Sequence, residues 1–274
     1  MKKLVLVVGD TIIDEYVYLQ PIGFSLETPT IKSKKINSRL ELGGAANVAI
    51  QMAKLGCQVD FITSVSSKHK KSLEKIKNLS VIQSFDKDQI KQRFYLVKES
   101  CYKYLQINDC LPVTPRLVLD ESRAISDYDS VVISDYRLGV VTDQILKILP
   151  KHKTICQMQI SDSNAKIDKF SGFHCFVGNS QEIPRDKLRE TREACNFDVC
   201  VSTNGKEEIV AVSKQGVFTH LPKKLEAVND YHGAGDAFFA GFCTKYQSDN
   251  LQNAISFGAT NAYAFLTRSE NVVI

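Results

Sequence analysis

Short apolar runs recur along this chain with helix-period segments between them. The runs are Leu4 to Val8, Val59 to Val65, Ser130 to Ser134, Thr154 to Met158, Cys175 to Gly178 and Val199 to Ser202. Between them lie Gly44 to Leu55, Asp143 to Leu149 and Arg185 to Ala194, each with apolar residues at three- and four-residue spacing. A strand that is apolar throughout must be covered on both faces, so the alternation predicts an α/β fold built on a parallel sheet. Residues 15–42 and 90–109 break the rhythm with alternating and aromatic residues. Both predict exposed antiparallel strands projecting from the α/β body, either as an oligomer contact or as a lid over the strand ends where such sheets bind ligands. No repeat, low-complexity tract or interdomain linker is evident, so residues 1–274 are expected to form a single catalytic-size unit with a lid.

Charge and cysteine content narrow the function classes. The net charge is +4 from 35 basic and 31 acidic residues, and the basic residues are dispersed apart from short runs such as Lys68-His69-Lys70-Lys71. A nucleic-acid partner is therefore not indicated, whereas an anionic small substrate suits the balance. No apolar run reaches membrane-spanning length, and Leu4 to Gly9 reads as a buried strand rather than a signal peptide, so no membrane partner is expected. The eight cysteines form no C-x-x-C pair and have only five histidines to join them. They read as reduced thiols of a cytoplasmic protein.

The chemistry concentrates near the C-terminus. A strand-like segment ends near Leu221, and after a connection Gly233-Ala234-Gly235 precedes Asp236 and the apolar run Ala237 to Phe242. The first N–H groups of a helix lack acceptors, and small residues let an anion approach them. A carboxylate beside that anion would be repelled unless it takes a proton from a hydroxyl attacking the phosphate; a plain helix cap is the structural alternative. Near the N-terminus, Asp10 and Asp14 follow the opening strand, where carboxylates can accept hydrogen bonds from sugar hydroxyls or simply face water. Leu42 to Ala49 opens a helix on Gly43 and Gly44; Asn47 can then both donate to and accept from a hydroxyl pair, or the small residues can serve packing alone.

Taken together these motifs resemble the PfkB or ribokinase-like family of carbohydrate kinases nearly end to end. The resemblance implies a ribokinase-like three-layer α/β/α sandwich with a small β-strand lid. It implies ATP and Mg²⁺ as cofactors, with Asp14, Gly43, Gly44 and Asn47 at the sugar. Asn179-Ser180-Gln181-Glu182 matches the family's N-x-x-E, which organises magnesium and its waters, and Gly233-Ala234-Gly235-Asp236 matches the anion hole and base. Leu4 to Asp10, Leu42 to Ala49, Ser134-Asp135-Tyr136 and Asp168 to Phe173 look like the heptose 7-phosphate kinases, which phosphorylate the anomeric hydroxyl. A phosphorylated acceptor needs a cation, for which Arg93 and Arg137 are candidates, with Asp135 as a further sugar contact. Thr203 and Gly205 fall in what looks like the nucleotide-side turn, and Asn261 is expected to border adenine. The lid strands are expected to join a homodimer. Tyr231 and His232 stand where the family carries threonine, and Leu138 where the branch carries lysine. An active sugar kinase, a catalytically weak sugar-phosphate sensor or partner subunit, and a kinase of another sugar or small alcohol such as a nucleoside all fit this pattern.

Overall fold

The computed structural model describes residues 2–114, 123–159, 166–225, 231–246 and 250–268. The expected apolar runs form strands β1 (Leu4–Gly9), β4 (Gln58–Ser64), β8 (Ser130–Asp135), β9 (Thr154–Met158), β10 (Cys175–Asn179) and β11 (Val199–Thr203). With β5 (Leu79–Phe85), β12 (Ile209–Ser213) and β13 (Gly216–His220) they make a nine-stranded sheet in the order β13-β12-β11-β10-β9-β8-β1-β4-β5. Pairing is parallel from β5 to β11, and at one edge the β11–β12 and β12–β13 pairs are antiparallel.

Alternation along β1 shows why both faces are covered. Val5 and Val7 join one core with helices α1 (Ala45–Lys54), α5 (Ala234–Lys245) and α6 (Leu251–Leu266). Leu6 and Val8 join the opposite core, with Ile145 and Leu146 of α3 (Asp143–Ile148) and Leu188 of α4 (Leu188–Ala194). Three layers follow from this: helices, sheet, helices. A short helix α2 (Ser67–Leu73) connects β4 to β5, and all eight cysteines are free thiols.

The lid regions are also strands. β2 (Thr11–Phe24) pairs antiparallel with β3 (Ile31–Gly44), and β6 (Ile90–Val97) pairs antiparallel with β7 (Cys101–Asp109). The two hairpins join through a parallel β2–β6 contact that sets Tyr16 opposite Arg93, giving a second sheet in the order β3-β2-β6-β7. Alternation within each hairpin was visible in the sequence. The parallel seam was not, because it depends on a contact between segments far apart in the chain.

Gly43 and Gly44 let the lid turn directly into α1. Gly44 has φ of 63°, and a Cβ there would stand 2.5 Å from the Asp10 carbonyl oxygen. That same carbonyl accepts the Ala45 N–H at 3.0 Å, so strand end and helix start are locked together.

Candidate active site

A cleft of about 740 Å³ opens at the C-terminal ends of β9, β10 and β11, between the sheet and the lid. Parallel sheets place ligands at this end, because the loops there are free to diverge while the strands hold them. Asp14, Gly43, Gly44, Asn47, Arg93, Asn179, Glu182, Thr203, Gly233, Gly235 and Asp236 all line it, bringing together residues from the whole length of the chain.

Asp236 stands in the first turn of α5 and is 8% exposed. Its Oδ1 accepts the Tyr136 hydroxyl at 2.8 Å and the Gln157 amide at 3.0 Å. Burial pushes this carboxyl up to about 6, aided by the nearby Asp14 charge and opposed by hydrogen bonds from Tyr136, Gln157 and Asn47. Burial and Asp236 together hold the Tyr136 phenol far above its ordinary value, so it remains a donor.

The turn before Asp236 has its backbone set by Gly233, whose φ is 80°. A Cβ on Gly233 would come within 2.9 Å of both Asn47 Nδ2 and Phe265, whereas nothing lies within 4 Å of where one on Gly235 would be. Space for an anion is thus open at Gly235. Ala234 differs from expectation: its N–H donates to the Tyr231 carbonyl at 3.2 Å, and it does not line the cleft. His232 lines the cleft, whereas the Tyr231 side chain is exposed.

On the acceptor side, Asp14 is ion-paired with Arg93, and both are largely buried. Gly43 makes room for that carboxylate, since a Cβ there would lie 2.2 Å from Asp14 Oδ2. Asn47 bridges the two halves of the cleft by donating to the Gly233 carbonyl at 3.3 Å. Arg93 reaches the cleft, but its guanidinium is committed to Asp14 and lies 5.4 Å from the Tyr16 ring centre. Lys91, two positions before it on the same strand, also faces the cleft, 5.7 Å from the Tyr136 ring centre.

On the opposite side, Asn179-Ser180-Gln181-Glu182 folds as a reciprocal capping turn. Asn179 Oδ1 accepts the N–H groups of Gln181 (2.9 Å) and Glu182 (3.0 Å), while Glu182 Oε2 accepts the Asn179 N–H at 2.8 Å. The turn presents both side chains at the cleft edge beside Thr203.

Several expected site residues have other tasks. Asp10 is 1% exposed and accepts the N–H groups of Tyr136, Leu138 and Val140 at 2.9, 3.2 and 3.0 Å. It anchors the loop after β8 instead of facing a sugar, and burial with the adjacent Asp135 pushes its carboxyl up to about 6. Asp135 is also 1% exposed, ion-paired with Lys169 and accepting the Arg137 N–H at 2.7 Å. Arg137 adopts φ of 60° outside the cleft lining. Gly205, with φ of 56°, lies in the β11–β12 connection and does not line the cleft. Asn261 donates to the Ala237 carbonyl at 2.7 Å and ties α6 to α5. Sequence reasoning passed over Tyr136, Gln157 and Lys91 as site residues, since a single glutamine inside a buried strand carries no local signal of chemistry.

A model described as the pfkB family carbohydrate kinase matches residues 2–271. This chain belongs to the pfkB family. The family places it among the ATP-dependent carbohydrate kinases. Its pfkB fold is similar to the ribokinase of Thermotoga maritima (TM-score 0.71, 17% identity, 99% of this chain and 95% of that one). It is equally similar to phosphofructokinase-2 of Escherichia coli (TM-score 0.71, 17% identity, 97% and 94%). These likenesses make the fold ribokinase-like. Curated pfkB relatives include the bifunctional protein HldE of Aliarcobacter butzleri, 26% identical over 93% of this chain and 59% of that protein. HldE of Campylobacter jejuni strain RM1221 is 26% identical over 88% of this chain and 56% of its own length. The chain thus spans a little under three-fifths of the length of these relatives.

Proposed function

We propose that this protein transfers the γ-phosphoryl group of ATP to a sugar hydroxyl, and that the sugar is a heptose 7-phosphate taking the group at its anomeric oxygen. The observation that carries the reading is the buried Asp236 carboxylate at the start of α5, beside the open Gly235 backbone and sharing a cleft with Asp14 and Asn47. Similarity to the HldE proteins, together with the resemblance of segments such as Leu42 to Ala49 to heptose 7-phosphate kinases, supports the finer substrate.

In this mechanism Asp14 and Asn47 orient the acceptor, and Asp236 takes the proton of the attacking hydroxyl. N–H groups around Gly233 to Gly235 stabilise charge on the transferring group, chiefly at the open Gly235. Arg93 pairs with Asp14 and holds it in place, instead of gripping a phosphate by itself. Lys91 is the cation on that strand better placed for an acceptor's existing phosphate.

The chemistry of the donors at Asn179 and Glu182 fits magnesium held through water. Their oxygens already accept backbone N–H groups, and among the described residues no cluster of three or more His, Cys, Asp or Glu could hold a metal directly. Magnesium bound with ATP would neutralise the phosphate oxygens. Thr203 would border the nucleotide phosphates from β11.

Residues 1–274 act in this reading as one kinase unit in the cytoplasm, where ATP is available. The lid carries exposed apolar side chains on both of its edge strands, including Ile31 and Leu40 of β3 and Tyr104 and Ile107 of β7. We assign these edges to a homodimer contact.

The test is ATP-to-ADP turnover with Mg²⁺ over a panel of heptose, hexose and pentose phosphates and free sugars, for the wild type and Asp236→Asn. Turnover on a heptose 7-phosphate that drops by about 10²–10⁴-fold in the variant is expected. Preference for a free sugar or a nucleoside would sink the heptose assignment and leave the kinase reading intact. Stabilisation by a sugar phosphate with no turnover on any acceptor would replace the kinase with a sensor.

A further inference from the structure

Asp236 must present one defined oxygen to an acceptor hydroxyl, and two side chains that were not among the expected site residues meet it from the sheet side. Tyr136 arrives from the loop after β8 and Gln157 from within β9, and both donate to the same oxygen, Oδ1. The Tyr136 backbone and the Gln157 side chain are each held by a second partner. The Tyr136 N–H is held by Asp10 at 2.9 Å, and Gln157 Nε2 also reaches Ser134 Oγ at 2.9 Å. Ser134 is itself fully buried on β8.

We propose that Tyr136 and Gln157 are positioning residues that clamp Oδ1 of Asp236 and leave Oδ2 to take the acceptor proton, with Asp10 bracing the Tyr136 side of the clamp. This rests on the kinase reading above and deepens it.

The physical case turns on what a buried carboxylate does without donors. In a site that excludes water, each hydrogen bond favours the charged form that a base must have before it can accept a proton. A carboxylate is also free to rotate about its Cβ–Cγ bond unless one oxygen is fixed, and a base that rotates spends less time aligned with the hydroxyl. Tyr136 and Gln157 on one oxygen address both needs, while Asn47 of α1 is a third donor to the same carboxyl. The other charged or titratable groups lining the cleft are Asp14 and Tyr16 on β2, Glu41 on β3, Lys54 at the end of α1, Lys91 and Arg93 on β6, Glu182 after β10, His232 before α5 and Arg268 after α6. Asp14 opposes ionisation of Asp236, so the clamp works against it.

The experiment uses the full chain with ¹³Cγ-labelled aspartate, the Asp236 signal being assigned by its absence in Asp236→Asn. Its titration midpoint is followed by NMR in the wild type, Tyr136→Phe and Gln157→Leu. In parallel, kcat and KM are measured against pH with whichever sugar phosphate of the panel above is turned over fastest. Near-ultraviolet circular dichroism checks that each variant keeps its tertiary packing.

Each substitution is expected to raise the midpoint by about one pH unit, the size of one lost hydrogen bond to a charged group. The acid limb of kcat/KM should move with it, and kcat should fall about tenfold while KM stays within about twofold. Midpoints unmoved in both folded variants would overturn the clamp. So would a rise in KM with kcat unchanged, which marks a substrate contact instead. Midpoints that move in a protein that turns over no acceptor support the clamp and overturn only the kinase reading.

Discussion

A carboxylate that is 8% exposed and titrates near 6 burdens the protein that keeps it. In the unfolded chain Asp236 ionises near 3.8, so above pH 6 both states are charged and only the folded one suffers the desolvation. The folded pKa is raised, so the destabilisation is full at neutral pH, shrinks as pH falls through 6 and is gone by about 4. Asp236→Asn should therefore be more stable than the wild type at pH 7 by about 1–3 kcal/mol, with the advantage fading toward pH 4. Urea unfolding at a series of pH values checks this; an advantage that stays constant with pH would show that the charge is not its source. The same linkage limits activity, since turnover needs the ionised form and should decline below about pH 6. Gly43 gives a second prediction at this scale. An added methyl would displace the Asp14 carboxylate, so Gly43→Ala should weaken acceptor binding by about 10–100-fold, the worth of a charged hydrogen bond, with little change in ATP affinity. Isothermal titration with each ligand separates the two.

At the scale of elements, strands buried on both faces were legible because short apolar runs such as Leu4 to Val8 alternate with helix-period segments, the pattern of a covered parallel sheet. The lid hairpins were legible from alternation, although β2 starts at Thr11 and β3 continues to Gly44, beyond the expected limits. β5 and β12 escaped notice. β5, at the sheet edge, has mixed burial and polar residues interrupting its apolar ones, whereas the short apolar run Ile209 to Val212 of β12 was in the sequence and went unread. The edges of the lid carry their own prediction. Every residue of β7 is exposed, and Tyr102, Tyr104, Leu105 and Ile107 leave apolar surface on a strand with one unpaired side. A long exposed apolar edge favours pairing with another chain. Sedimentation should show a dimer, and Tyr104→Lys with Ile107→Lys should give a monomer of unchanged secondary structure. A wild type that sediments as a monomer at every concentration would remove the dimer.

For the molecule as a whole, the site was legible where a backbone demands glycine and unreadable where long-range pairing decides. Gly43, Gly44 and Gly233 announced close approach, and Gly44 and Gly233 each take a positive φ while Gly43 admits the Asp14 carboxylate. Asp135 and Arg93 looked like ligand contacts because sequence shows a charge but not its partner, and in the fold Lys169 and Asp14 take them up. That leaves Lys54, Lys91 and Arg268 as the cations lining the cleft besides Arg93, in a chain of net charge +4. Arg268 is drawn toward Glu41 at 3.8 Å, which makes Lys54 and Lys91 the candidate cations for an anionic ligand. The prediction is that anionic ligands stabilise the whole fold in preference to their neutral analogues. At a concentration about 100 times its dissociation constant, a ligand adds about 2.7 kcal/mol, which for a chain of this size raises Tm by about 5–10 °C. A heptose or hexose phosphate should reach that shift at far lower concentration than the parent sugar, and the difference should shrink as salt rises and screens the charges. Replacing Lys91 by Met should reduce the preference while leaving the shift produced by ATP with Mg²⁺ in place. Equal shifts from phosphorylated and free sugars at all salt concentrations would mean that the cleft does not read a phosphate on its acceptor, and the heptose 7-phosphate assignment would fall with it.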